Sequence, residues 1–163
     1  MTFYFHKHQK KLIALFIFLG SLIGCKQLDV FEQSQTFRKN DWKSDNPAKG
    51  QFLINDTTAT YQIFIIIRHT DAYRYNNIWL NVGLAAPRDT MYKQKVNLQL
   101  GEDATGWEGT GMNDIWEVRK NLFDKPRRFI KPGIYRFELQ QIMRDDPLQQ
   151  VMSAGLRVEK AVH

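Results

Sequence analysis

The chain has 163 residues, with 23 Lys and Arg against 17 Asp and Glu for a formal charge of +6, and a single cysteine. That length fits one domain, and one thiol excludes an internal disulfide framework. The charge marks no nucleic-acid footprint: three basic residues fall in the first 24, and the remainder carries 20 basic against 17 acidic side chains, a net +3 with no Lys/Arg run.

In chain order, the first element is a leader. Lys7, Lys10 and Lys11 precede an apolar run from Leu12 to Ile23, and small residues then lead to the only cysteine, Cys25. A basic region, a short apolar region and a small-residue cleavage site make a secretory signal. As helix the apolar run reaches roughly 18 Å at about 1.5 Å per residue, short of a hydrocarbon core about 30 Å thick, so a permanent span is the poorer reading. Leu22-Ile23-Gly24-Cys25 is similar to a bacterial lipobox. In signals of that kind the cysteine thiol is acylated, the chain is cut before it, and the new N-terminus is acylated in turn. Two or more acyl chains give stable anchoring, since each buried methylene contributes about 0.8 kcal/mol. The expected organisation is a signal peptide over 1–24, the lipidated Cys25 with a tether or first strand over 25–46, and a folded domain over 47–163.

Lys26 to Asn46 is polar with Phe31, Phe37 and Trp42 spaced along it, which suits a tether that docks its aromatics or a first edge strand. Pro47 and Gly50 punctuate it, and Gln51 to Asn55 is a short apolar segment closed by the turn-prone Asn55-Asp56. Tyr61 to Arg68 is β-branched and nearly all apolar, the pattern of a central strand covered on both faces. His69 to Asn77 reads as a polar turn. Ile78, Leu80, Val82 and Leu84 alternate with Trp79, Asn81, Gly83 and Ala85, and alternation returns over Tyr92 to Leu100 with one wet face.

Gly101 to Asn113, with four glycines around Trp107, reads as a loop or a bent, bulged strand. Ile115 to Phe123 is ambiguous: Ile115, Val118 and Leu122 fit helix spacing behind Asp114 as an N-cap, and a strand is equally defensible. Lys131-Pro132-Gly133 is a turn, Tyr135, Phe137 and Leu139 alternate with polar residues, and Leu156 and Val158 make a last short strand. Short strands at regular spacing between Gly, Pro and Asn turns predict an all-β fold, a single antiparallel β-sandwich or jelly roll. The chain's eleven Phe, six Tyr and four Trp supply its apolar area.

Chemistry is sparse. His69 and His163 are far apart and, without a cysteine, do not make a zinc site by spacing. His69 beside Asp71 has the residue types of a catalytic pair, but the polar turn around it favours a solvated histidine. Glu102-Asp103 and Asp145-Asp146 adjoin turns without the alternating oxygen ligands of a calcium loop. Nucleophile-elbow, phosphate-loop and dinucleotide motifs are missing, so no catalytic residue and no cofactor is expected. Trp79 lies on the parity opposite Ile78 and Leu80, and Trp107 sits among glycines; each can pack in the core or grip a ligand.

The order of these motifs resembles the gliding-motility lipoprotein family GldH. The lipobox is followed by the Trp42 region, the Tyr61–Arg68 strand, Asn77-Ile78-Trp79-Leu80 and Asp89-Thr90. Then come Gly106-Trp107-x-Gly109-x-Gly111 with Asp114-Ile115, and Gly133-x-Tyr135-x-Phe137. Gln141-x-Met143-Arg144 and Gly155-Leu156-Arg157-Val158-Glu159-Lys160 close the match. Asn113 stands where the family pattern has another glycine, and Gln149 to Ala154 departs from it. The resemblance implies a non-catalytic, membrane-tethered component of the gliding apparatus and its associated secretion machinery, with protein partners there. Trp107 and Arg144 are the candidate contacts. Lys26 after the anchor, where aspartate would mark inner-membrane retention, favours the periplasmic face of the outer membrane. The competing reading is a lipid-anchored carbohydrate-binding sandwich with Trp79, Trp107 and Trp116 as its platform.

Overall fold

The computed structural model describes residues 30–161, so the leader and Cys25 lie outside the described residues. In chain order the strands are β1 (Val30–Thr36), β2 (Asp41–Trp42), β3 (Ala48–Ile54), β4 (Thr60–Thr70), β5 (Asn77–Ala85), β6 (Tyr92–Gln99) and β7 (Gly101–Glu102). They continue with β8 (Gly106–Trp107), β9 (Thr110–Met112), β10 (Ile115–Asn121), β11 (Arg127–Arg128), β12 (Gly133–Gln141), β13 (Leu148–Gln149) and β14 (Val151–Lys160). One sheet has the order β1-β14-β4-β10-β9 with β11 also on β4; the other has the order β3-β12-β5-β6. Two ribbons, β2 with β13 and β7 with β8, complete the fold, and every pairing is antiparallel. The expected all-β sandwich is what forms.

β4 is the centre of the larger sheet, as its isoleucine run predicts. Tyr61, Ile63, Ile65 and Ile67 turn into the core, and Ile66 is buried on the opposite face. Fully burying one such side chain is worth about 1.5–3 kcal/mol, which a chain without disulfides needs. Rings from both sheets meet over it: Phe31 of β1 contacts Phe52 of β3 at 5.6 Å and Phe137 of β12 at 6.4 Å between centroids. Trp42, fully buried, stacks on Phe37 at 4.7 Å and donates its Nε1–H to the Asn46 carbonyl. The stretch before Pro47 is thus part of the fold, with β1 as an edge strand.

Three expectations are corrected or resolved. β4 does not stop at Arg68; it runs to Thr70, and His69 continues the inward parity of Ile63, Ile65 and Ile67, fully buried. It is no solvated turn residue. The ambiguous segment after Asp114 is strand β10, because pairing with β4 on one side and β9 on the other outweighs its helix-like spacing. The last strand is ten residues long rather than a short piece around Leu156. Ser153, Ala154, Gly155 and Leu156 are all buried, so no alternation marks it in the sequence. Gly155 is required there: a Cβ would collide with Gln33 and Ser34 of β1.

The two ends of the sandwich differ. At the end where β1 starts, Val30 pairs with Glu159, Lys160 with Tyr61, and β11 with Thr60 and Tyr61, while Phe129 plugs the core against Phe52, Tyr61 and Tyr135. His69 marks the other end, eight residues along β4 from Tyr61, or roughly 26 Å at about 3.3 Å per residue.

Candidate functional site

At the His69 end, three segments converge: the connection from β4 to β5, the glycine-rich β7–β8 ribbon, and the turn after β12. The last is built around Gln141, whose side chain is fully buried. Its Oε1 accepts the Met143 N–H at 2.8 Å. Its Nε2 donates to the carbonyls of Trp42 and Asp145, both at 3.3 Å, and to Asp146 Oδ1 at 3.5 Å. The Asp146 carboxylate also accepts from Ser44 N–H and Oγ–H, which holds it below the usual carboxylate range. A buried amide that satisfies donors and acceptors together fixes the loop around it. Arg144 is left exposed at the tip of this turn.

The turn is tied sideways to β5 and to the β4–β5 connection. Trp79 N–H points to Met143 Sδ at 3.2 Å, and the Trp79 carbonyl accepts the Ile142 N–H at 3.0 Å. Tyr75 donates its hydroxyl to Asp145 Oδ2 at 2.7 Å, and that bond to a carboxylate raises the phenol's pKa. Trp79 remains 43% exposed, since its parity faces away from the core. Tyr75, Trp79, Ile142, Met143 and Arg144 enclose a hollow of about 380 Å³. A second hollow of about 320 Å³ adjoins it through Tyr75 and runs to Tyr73, Glu102, Asp103 and Trp107.

The two candidate contacts, Trp107 and Arg144, therefore lie in neighbouring hollows with Tyr75 between them. They are not equivalent. Trp107 is half-buried, its ring 4.5 Å from His69 and 6.2 Å from Tyr73, so it packs as well as lines a wall. Arg144 has an open face. Trp79, Trp107 and Trp116 do not line up as a platform: Trp79 is on β5 of the smaller sheet, Trp116 on β10 of the larger, and Trp107 lies over His69.

His69 itself is sealed. Its Nδ1 is 2.8 Å from the Thr70 carbonyl, which sets the proton on Nδ1 and leaves Nε2 as a buried acceptor with no partner among the described residues. Burial lowers its pKa, opposed in part by the Thr70 bond. The ring bonds that carbonyl rather than the Asp71 carboxylate, so no His–Asp pair is assembled. Tyr73, whose hydroxyl donates to the Asn77 carbonyl, is pushed up by burial and by the neighbouring Tyr75 and Asp145. Sequence reading missed Tyr75, whose partner Asp145 lies 70 positions away, and named Gln141 only within the Gln141-x-Met143-Arg144 spacing, without its bond to Trp42 99 positions away.

A family model described as GldH lipoprotein matches residues 29–158, the whole sandwich from the start of β1 almost to the end of β14. The chain belongs to the GldH lipoprotein family. It is 25% identical over 158 residues to a "Gliding motility lipoprotein GldH homolog" of Christiangramia forsetii, covering 91% of this chain and 96% of that relative. It is 23% identical over 146 residues to the "Gliding motility lipoprotein GldH" of Flavobacterium johnsoniae, covering 85% of this chain and 89% of that one. Membership identifies a lipoprotein of the cell envelope, anchored to a membrane. The family span includes both the Gln141 turn and the Trp107 ribbon. The departure at Asn113 has a local reason: its φ is 54°, in the left-handed region that glycine and, after it, asparagine adopt most readily.

Proposed function

We propose that this lipoprotein is a non-catalytic component of the gliding-motility machinery, held by an acylated Cys25 and gripping a protein partner through the Tyr75–Trp79–Arg144 hollow. Trp107 forms the wall of the adjoining hollow. The relatives' names supply the process. The observation that carries the contact is the hollow itself: an exposed tryptophan and an exposed arginine on a turn pinned by a buried amide. Aromatic and arginine side chains in preorganised pockets dominate binding energy at protein interfaces. A tethered domain with no nucleophile–base pair among its described residues acts through such contacts. Lys26 after the anchor supports the periplasmic face of the outer membrane over the inner membrane.

The test is a photo-activatable amino acid at position 144, with position 92 on β6 as an exposed control. Irradiated cells should yield adducts to other gliding proteins from 144 and not from 92. Equal labelling from both positions, or none from either with the protein at normal abundance, contradicts the reading. Retention on a polysaccharide column that Trp79→Ala abolishes would replace it with carbohydrate binding.

A further inference from the structure

The end of the sandwich opposite this hollow is where the anchor arrives. Residues 26–29 separate Cys25 from Val30, so the start of β1 can stand no more than about 18 Å from the acylated residue. Around that same end, among the described residues, aliphatic side chains stand exposed: Ile130 is 81% exposed, Leu53 59% and Ile134 51%. Leu53 and Ile134 are register partners at the β3–β12 pair. Ile130 is held outward by its neighbours, because Phe129 is buried in the core and the Lys131 carbonyl accepts the Tyr135 hydroxyl at 2.9 Å.

Charge is concentrated on the same segment. Residues 123–134 hold Lys125, Arg127, Arg128 and Lys131 against one acid, Asp124, a net +3. The rest of the chain after the leader carries 16 basic and 16 acidic residues, so this segment holds the whole excess. Reading for Lys/Arg runs misses it because Pro126, Phe129 and Ile130 interrupt the cations. Of the segment's own cations, Lys131 pairs with Asp89 outside it and the Arg127 guanidinium rests 4.2 Å over the Phe123 ring, and nearby Lys160 pairs with Asp56.

Resting on the lipoprotein reading above, we infer that residues 123–134 with Leu53 form a membrane-docking face, laid on an anionic bilayer by the short tether. Exposed aliphatic residues enter the headgroup boundary and cations lie over anionic lipid, the combination that holds peripheral segments at a bilayer. A single lipid anchor point leaves a domain free to tumble. This face fixes its orientation and points the Tyr75–Trp79–Arg144 hollow away from the bilayer toward partners.

The test uses the full-length acylated protein in vesicles. With Cys25 acylated, Ile130→Cys or Met112→Cys supplies a unique thiol for an environment-sensitive fluorophore; Met112 is 75% exposed at the opposite end. In vesicles of phosphatidylethanolamine with phosphatidylglycerol, the label at 130 should shift to the blue and be quenched by headgroup nitroxides, and the label at 112 should do neither. Each basic side chain near an anionic surface is worth about a fivefold change, so replacing Lys125, Arg127 and Arg128 together by Gln should lower the docked-to-free ratio on the order of 100-fold. Phosphatidylcholine vesicles should act in the same direction. Equal exposure of both labels in protein that floats with the vesicles overturns the docking face while leaving the anchor intact. Protection at 130 that needs added envelope protein, or that ignores lipid charge, also overturns it. Protein that fails to float at all removes the anchor instead.

Discussion

Replacing Gln141 by Leu keeps its volume and removes its amide. The Met143 N–H then loses the acceptor it has at 2.8 Å, and orphaning this part-buried donor against a leucine side chain costs about 1–3 kcal/mol. The three bonds from Nε2 are longer, 3.3 to 3.5 Å, and their loss adds about 1 kcal/mol. The sum is about 2–4 kcal/mol. Unfolding entropy near 2.1 cal/mol/K per residue gives a domain of this size about 0.28 kcal/mol/K, so Tm should fall by about 7–14 °C. Far-ultraviolet circular dichroism of the purified lipoprotein during heating measures it. The variant should also lose adducts from position 144, because Met143 and Arg144 ride on the same turn. A Tm loss below about 2 °C would refute this account and leave the Ser44–Asp146 and Tyr75–Asp145 bonds as the true supports.

His69 gives a pH signature. Because burial lowers its pKa from the usual 6.5, the unfolded chain binds the proton first as pH falls. Stability is therefore level above neutrality and declines as pH drops below about 6.5; His69→Phe should remove that decline in melts between pH 7 and 5. Glu138, Asp56 and Asp146, held low chiefly by Lys93, Lys160 and Ser44 respectively, lose their contributions only below about 4.5, in a separate window. Gly155→Ala should lower Tm more than the same change at Gly106, where a Cβ meets nothing within 4 Å though its φ is 80°; similar losses would show that β1 gives way easily. Cys25→Ala should abolish detergent-phase partitioning and spreading, and an unchanged mature, detergent-phase protein would contradict acylation at that residue.

Strands whose two faces differ were legible. β12 alternates cleanly, β5 does so from Ile78 to Val82 before Gly83 and Ala85 are buried and Leu84 is left half-buried, and β4 announces itself by Ile63, Ile65, Ile66 and Ile67. Elements defined by their neighbours were not. β10 shows helix spacing in isolation and becomes a strand because β4 offers a partner along its whole length. β14 hides because small residues are buried on both faces, with a register shift between Val151 and Ser153. His69 was misread because polarity was taken for solvent exposure, when the inward parity of β4 had not ended. Trp107 and Arg144 were visible as residue types suited to contact. What joins them, Tyr75 bonded to Asp145 across 70 positions and Gln141 bonded to Trp42 across 99, depends on a topology that no local pattern reports.

The central claim is that the Tyr75–Trp79–Arg144 hollow is where this lipoprotein acts. Trp79→Ala combined with Arg144→Ala removes both exposed walls while leaving the Gln141 bonds and the core rings in place. Colony spreading of cells carrying only the double variant is the direct measurement, read beside its abundance and melting temperature. The account predicts spreading lost with abundance unchanged and Tm within about 2 °C of the parent. Full spreading by a normally abundant double variant would contradict it.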